Sequence, residues 1–128
     1  MNSEKKLLID LRGVTYNYSN DYAEVEIFKD LNLSVYSGEM IALLGPSGSG
    51  KTTLLNCIGL LDQFTSGSFK LFDKDFFTLT DKEINKIRLK RIGFIFQNHR
   101  LFPEFSAFEN ISIPMLINNT NQNIAKKK

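Results

Sequence analysis

The stretch 40-MIALLGPSGSGKTTLLN-56 decides the fold. Met40, Ile41, Ala42, Leu43 and Leu44 form a short continuous apolar run, which is how a strand buried on both faces reads. Glycines follow, and then a helical pattern that places Leu54, Leu55, Ile58 and Leu61 on one face. The unit is strand, glycine-rich loop, helix. Between strand and helix, Gly45-Pro46-Ser47-Gly48-Ser49-Gly50-Lys51-Thr52 fits G-x-x-x-x-G-K-[ST] without mismatch. Gly48 and Gly50 let the backbone wrap closely with its N–H groups inward, and the helix N-terminus adds positive potential. Lys51 supplies a mobile point charge for the outer phosphates, Thr52 a hydroxyl for Mg²⁺, and Thr53 a further group for phosphate oxygens. Three glycines at this spacing followed by Lys-Thr are not a chance loop in a chain with eight glycines.

Working outward, Leu7 to Tyr18 and Glu24 to Tyr36 read as extended segments. In the second, Leu31, Leu33 and Val35 alternate with Asn32 and Ser34, the period of a half-buried antiparallel strand. Ser19 to Ala23 is the connecting loop, and Ser37-Gly38 a turn. Downstream, Phe69 to Phe72 reads as a strand after the Ser66-Gly67 turn. Thr80 to Glu83 is a capping box with Leu79 and Ile84 as a hydrophobic staple, opening a helix from about Asp81 to Lys90. Ile92 to Phe96 reads as a second buried strand. Ser106 and Glu109 form another capping box, opening a helix that Pro114 should kink or end.

The whole chain bounds the answer. It has 128 residues with 16 Lys+Arg, 14 Asp+Glu and one His, a formal net charge of +2. One domain is the natural reading, and 42% hydrophobic with 23% charged residues is ordinary globular composition. The mild charge excludes nucleic-acid binding driven by gross electrostatics. The single cysteine, Cys57, excludes an internal disulfide framework and reads as a small buried hydrophobe. The opening MNSEKKLLID lacks a signal-peptide core, and no apolar run approaches the ~18 residues of a membrane span. His99 has no companion ligands for a metal. Phe94, Phe96, Phe102, Phe105 and Phe108 are read by default as core, and Lys82, Lys86, Arg88, Lys90 and Arg91 as a solvated helix face.

Small-molecule kinases and GTPases usually carry this loop near the amino terminus; here about forty residues, read mainly as β structure, precede it. Four stretches in order resemble the ATP-binding subunits of ABC transporters. They are the aromatic Tyr18, GEMIALLGPSGSGKTTLLN, the turn GLLDQFTSGSF, and RIGFIFQNHRLFPEFSAFENISIP. The resemblance implies an α/β fold: a partial phosphate-loop core with an N-terminal antiparallel β-subdomain, spanning residues 1–117, followed by a polar tail at 118–128. It implies ATP and Mg²⁺ as ligands, held by Tyr18, Gly45, Pro46, Ser47, Gly48, Ser49, Gly50, Lys51, Thr52 and Thr53. Tyr18 stands at the adenine-stacking position, with Tyr16 as the competing choice. Gln97 stands at the glutamine that contacts Mg²⁺ with Thr52, positions the attacking water and signals to the membrane subunit. It also implies integral-membrane permease subunits and a second ATPase subunit as partners, no nucleic acid, and a cytoplasmic location on the inner face of the membrane through the permease. Part of the Phe94–Phe108 cluster falls where the family meets its permease.

Within the family, Gln97 through Pro103, Phe105 and Glu109-Asn110 look most like the lipoprotein-releasing ATPases, with macrolide-export and cell-division subunits close behind. Phe64 departs from the proline usual in the family; it is expected to affect a turn. No two glycines are adjacent, so the chain has no L-S-G-G-Q signature. Nothing after Gln97 reads as four apolar residues followed by Asp-Glu, and His99 is too early for the family's switch histidine. The 128 residues therefore read as the amino-terminal half of such an ATPase domain, able to cradle phosphates without activating water. Two alternatives remain beside the transporter reading: a nucleotide-binding module with no chemistry of its own, and a phosphate-loop kinase. The kinase reading leaves the β prefix and the Gln97 region unexplained.

Overall fold

A computed structural model of the chain describes residues 5–20 and 22–118. Strand β1 runs Leu7–Asn20 and β2 runs Ala23–Tyr36. They pair antiparallel, from Leu7 opposite Tyr36 to Asn20 opposite Ala23, and the register slips at several points. The hairpin is thus longer and its connection tighter than the five-residue loop expected. Helix α1 covers Lys51–Ile58, strand β3 Ser66–Leu71 and the short β4 Lys74–Asp75. A 3₁₀ turn at Phe76–Thr78, helix α2 at Asp81–Arg91 and helix α3 at Ala107–Ile117 follow. The four strands form one antiparallel sheet in the order β2-β1-β3-β4.

The chain divides into two units, 1–84 and 85–128. In the first, Leu11, Val14 and Phe69 are wholly buried and Cys57 nearly so. A file of rings runs through that unit. Tyr16 meets Phe28 at 5.9 Å between centroids, Phe28 meets Phe64 at 6.2 Å, Phe64 meets Phe69 at 5.3 Å, and Phe69 meets Phe76 at 5.4 Å. The Phe28–Phe64 and Phe64–Phe69 pairs are edge-on, the arrangement the ring quadrupole favours. Phe64 is 3% exposed. Its departure from proline therefore does more than alter a turn: it inserts a core ring.

Gly67 closes the same core. It has φ +102, and a Cβ there would lie 2.5 Å from Val14 Cα and 2.6 Å from the Gly13 carbonyl oxygen. Only glycine permits β1 and β3 to approach so closely. The strand expected at Phe69–Phe72 begins earlier and stops at Leu71. Phe72 and Asp73, with φ 52 and 65, form the two-residue turn into β4, the backbone sign that right-twisted hairpins prefer.

Both expected capping boxes form. Thr80 N–H donates to Glu83 Oε2 at 3.0 Å while Glu83 N–H donates to Thr80 Oγ1 at 3.4 Å. Ser106 and Glu109 exchange the same pair of bonds at 2.8 and 3.3 Å, and the Ser106 hydroxyl and backbone hold the Glu109 carboxyl below its ordinary range. Helix α3 does not end at Pro114. Proline deletes one intrahelical bond, the one to the Asn110 carbonyl, but Asn118 N–H still reaches the Pro114 carbonyl at 3.2 Å and the helix continues to Ile117. Residues 119–128 of the expected polar tail lie outside the described residues.

Two expected strands are absent. Met40–Leu44 pairs with no described strand, and Met40 and Leu44 are 99% and 91% exposed. A run apolar on both faces becomes a strand only between parallel neighbours, and every pairing among the described residues is antiparallel. Ile92–Phe96 is likewise unpaired; its exposure alternates residue by residue, and Ile95 is 97% exposed. The phenylalanine cluster is not uniformly core either. Phe94 and Phe96 are half-buried and stack at 4.6 Å, whereas Phe102, Phe105 and Phe108 are about half exposed. No helix among the described residues is long and apolar enough to cross a membrane.

The ring file gives a direct test of the Phe64 assignment. Replacement of a buried, ring-packed phenylalanine by alanine costs about 3–5 kcal/mol. Phe64→Ala is expected to lower the unfolding free energy obtained from a urea titration by that amount, whereas Phe77→Ala, at a half-exposed ring, is expected to cost much less.

Candidate functional site

The glycine loop joins the apolar run to α1. Gly50 is the N-cap of that helix, with φ 82, and a Cβ there would lie 2.8 Å from Ile27 Cγ2 and 3.2 Å from Phe28 Cδ1 on β2. Glycine at this point lets the start of α1 seat directly on the β hairpin. It also leaves the helix without a side-chain cap, and the first turn carries no acidic residue. The first N–H groups of a helix have no intrahelical partner, and their partial positive charge is here uncompensated by the helix's own sequence. That end of α1 is suited to an anion.

Lys51 folds back over the loop. Its Nζ donates to the Gly45 carbonyl at 2.9 Å, to the Pro46 carbonyl at 2.6 Å and to Ser49 Oγ at 3.3 Å. Ser49 N–H turns back to the Pro46 carbonyl at 3.3 Å. The ammonium thus sits at the hub of its own loop, where its donors are satisfied by weak neutral acceptors. A cavity of about 320 Å³ opens here, lined by Phe28, Leu31, Leu43, Gly45, Gly50 and Lys51 among others. Thr52 is exposed on the first turn of α1, and Thr53 is half-buried beside it. Ser47 and Gly48 form the exposed tip.

The far end of α1 is equally defined. Leu60 N–H bonds to the Cys57 carbonyl and Leu61 N–H to the Asn56 carbonyl, at 3.1 and 2.8 Å, with Leu60 at φ 60. This is a Schellman stop with leucine in the left-handed position that glycine usually takes, a conformation costing a non-glycine residue about 1–2 kcal/mol. Leu60 is buried, and that burial offsets the cost. The helix therefore ends before Leu61. Leu54 and Cys57 form its buried face, while Leu55 and Leu61, expected on it, are exposed. Burial, with a smaller contribution from nearby Asp62, pushes the Cys57 thiol up to about 12, so it is a packing residue and not a nucleophile.

The two candidate tyrosines differ sharply. Tyr16 is engaged: its ring lies against Phe28 and its hydroxyl donates to Asp62 Oδ2 at 2.7 Å. Tyr18 is 54% exposed. Gln97 belongs to the second unit and is exposed at a bend after Phe96. In that unit, sequence reasoning passed over the role of Asn110. Its Oδ1 accepts from Phe102 N–H at 2.8 Å, and its Nδ2 donates to the carbonyls of Phe102, Phe105 and Ser106 at 3.0–3.1 Å. One amide side chain thus ties the 102–106 loop to α3; no spacing rule in the sequence announces such a clamp. No cluster of metal-ligating side chains occurs among the described residues, so any Mg²⁺ here would rely on single protein ligands such as the Thr52 hydroxyl together with phosphate and water oxygens.

Tyr16 provides a pH readout of this geometry. The hydrogen bond to Asp62, then burial, then the Asp62 charge raise its phenol to about 12. The stability this contact contributes is complete below the phenol's ordinary pKa of about 10 and is lost as pH rises through about 12. An alkaline phenolate titration is expected to lose its latest component, near pH 12, in Tyr16→Phe.

Comparison with known proteins agrees with this architecture. The ABC transporter family model matches residues 28–128. The lipoprotein-releasing system ATP-binding protein LolD of Geobacter metallireducens is 44% identical over 110 residues, 86% of this chain and 49% of that protein. The macrolide export ATP-binding/permease protein MacB of Pasteurella multocida is 38% identical over 85% of this chain and 17% of that protein. The dimeric, post-hydrolysis ATP-binding cassette MJ0796 bound to ADP and Pi superposes with a TM-score of 0.80 at 38% identity, covering 86% of this chain and 47% of that one. The chain spans about half the length of the lipoprotein-releasing relatives it matches. Its α/β fold and its sequence together place it in the ABC transporter family, as part of an ATP-binding cassette.

Proposed function

We propose that this chain binds the triphosphate of ATP, with Mg²⁺, in the loop Gly45–Thr52, as the nucleotide-binding part of an ABC transporter of the lipoprotein-releasing type. The observation that carries the reading is the seat of Gly50 on β2, which presents an uncapped, acid-free helix start beneath a lysine held only by neutral acceptors. An arriving triphosphate offers Lys51 charged acceptors in place of the Gly45 and Pro46 carbonyls, and charge-assisted bonds are about twice as strong as neutral ones. Gly45, Pro46, Ser47, Gly48, Ser49 and Gly50 supply the wrap, and Thr53 helps hold phosphate oxygens. Thr52 offers its hydroxyl to Mg²⁺, and Gln97 is assigned to the metal and the attacking water. Tyr18, exposed where Tyr16 is committed to other partners, is the ring that stacks on adenine.

The lipoprotein-releasing assignment is supported by relatives of that name at 39–44% identity, a range that reaches above the 37–40% of the macrolide exporters and overlaps it. The names of those exporters join an ATP-binding part to a permease. The partners proposed here are accordingly a membrane-embedded permease, through which the chain is held at the cytoplasmic face of the membrane, and a second ATPase subunit. Half-exposed Phe102, Phe105 and Phe108 are candidates for the permease-facing surface. The 128 residues hold no Asp-Glu pair after an apolar run and no L-S-G-G-Q. By themselves they bind nucleotide and do not turn it over.

Calorimetric titration tests the site. Lys51→Ala is expected to weaken Mg·ATP binding about tenfold to hundredfold, the loss of one or two bonds to a charged group; equal affinity in both chains would count against the loop. A phosphate-release assay on the purified 128 residues is expected to show no steady-state turnover, and a rate matching that of a full-length relative would refute binding without hydrolysis.

A further inference from the structure

The strand that carries Tyr18 is fastened to the exit of the helix that carries the loop. Three bonds make the seam. Thr65 N–H donates to the Thr15 carbonyl at 2.9 Å, Asn17 N–H donates to Thr65 Oγ1 at 2.9 Å, and the Tyr16 hydroxyl donates to Asp62 Oδ2 at 2.7 Å. The first continues the β1–β3 pairing by one residue, and the second joins a β1 backbone N–H to the Thr65 hydroxyl beside it. The third is different in kind. It is a charge-assisted bond between two side chains.

Asp62 is itself fixed at both ends. Its Oδ1 accepts from Gln63 N–H at 2.8 Å, and the Schellman stop two residues earlier fixes the direction in which the chain leaves α1. Tyr16 is fixed as well, by its ring contact with Phe28. Phe28 also lies against the position a Gly50 Cβ would take. One ring system therefore touches the start of α1, and one hydrogen bond ties it to the chain after the end of α1. Tyr18 is two residues from Tyr16 on β1, opposite Val25 where Tyr16 is opposite Phe28.

We propose that Tyr16 and Asp62 are positioning residues that set the separation between the Tyr18 ring and the phosphate loop, and so match the site to the length of a nucleotide from base to triphosphate. Neither residue touches the nucleotide; they act through the strand that bears Tyr18. This rests on the nucleotide reading above and adds to it a pair outside the loop. Its consequence is selective. A ligand with a base and a triphosphate feels the strut; a ligand with only the polyphosphate does not.

The experiment is a calorimetric comparison of Mg·ATP with Mg·tripolyphosphate on the 128-residue chain. Tyr16→Phe keeps the ring and removes the bond. Asp62→Ala removes the acceptor, whereas Asp62→Asn keeps an acceptor oxygen. Tyr16→Phe and Asp62→Ala are expected to lose about three- to tenfold in ATP affinity, the size of one hydrogen bond, and to hold tripolyphosphate within about twofold. Asp62→Asn is expected to restore most of the ATP affinity. In a Tyr18→Ala background, Tyr16→Phe is expected to have no further effect on ATP, because the two act as one unit.

Equal losses for both ligands, no loss for either, or additive effects of Tyr16→Phe and Tyr18→Ala would each overturn the strut. Should Tyr16→Phe prove too unstable to titrate, as a melting scan would reveal, the Asp62→Ala and Asp62→Asn pair carries the same test. Binding of both ligands that Lys51→Ala abolishes but Tyr16→Phe leaves untouched removes the strut alone. A native chain that binds neither ligand removes the phosphate-loop reading and the strut with it.

Discussion

The seat of Gly50 on β2 is the constraint on which the rest of the first unit depends. With Ile27 Cγ2 2.8 Å and Phe28 Cδ1 3.2 Å from where a Cβ would be, no side chain fits between the helix start and the hairpin. This close approach fixes where the N-terminal end of α1 lies against the sheet. The orphan N–H groups of the first turn, the loop before them and the Lys51 ammonium over it are thereby presented from a rigid platform. A larger residue at this point would disturb the N-terminal end of α1 and the packing of Phe28 in one step.

Phe28 extends that constraint into the core. Its ring meets Tyr16 on one side and Phe64 on the other, and through Phe64 the contact passes to Phe69 and Phe76. The phosphate loop is thus continuous, through side-chain packing, with the antiparallel sheet that precedes and follows it in sequence. In the second unit the comparable organising group is polar: Asn110 holds the 102–106 loop by four hydrogen bonds from one amide. The contrast follows from exposure. Where the rings are buried, packing fixes geometry; where Phe102 and Phe105 are half exposed, hydrogen bonding must.

Much of this was legible in the residues because it depends on near neighbours. The G-x-x-x-x-G-K-T spacing and the two capping boxes reflect bonds spanning a few residues and open their helices at the expected places, whereas the alternation of Leu31, Leu33 and Val35 is followed only in part, Ser34 being half-buried like its neighbours. The helix after the loop was legible in its start but not in its end. The stop at Leu60 requires a left-handed leucine, which propensity argues against and burial permits. Pro114 similarly reads as a kink or a terminus, yet one missing bond did not halt the helix, which continues to Ile117.

What the sequence determined unaided is the phosphate loop, its flanking helix start and the antiparallel character of the segments before it, since these are set by φ/ψ preference, short-range hydrogen bonding and side-chain period. What only the tertiary structure decided is pairing and long-range contact. Met40–Leu44 and Ile92–Phe96 carry the composition of buried strands but remain unpaired, because a strand exists only when another offers it a ladder. The bond from Tyr16 to Asp62 and the burial of Phe64 join residues far apart in the chain, and no local pattern encodes which distant partner a hydroxyl or a ring will meet.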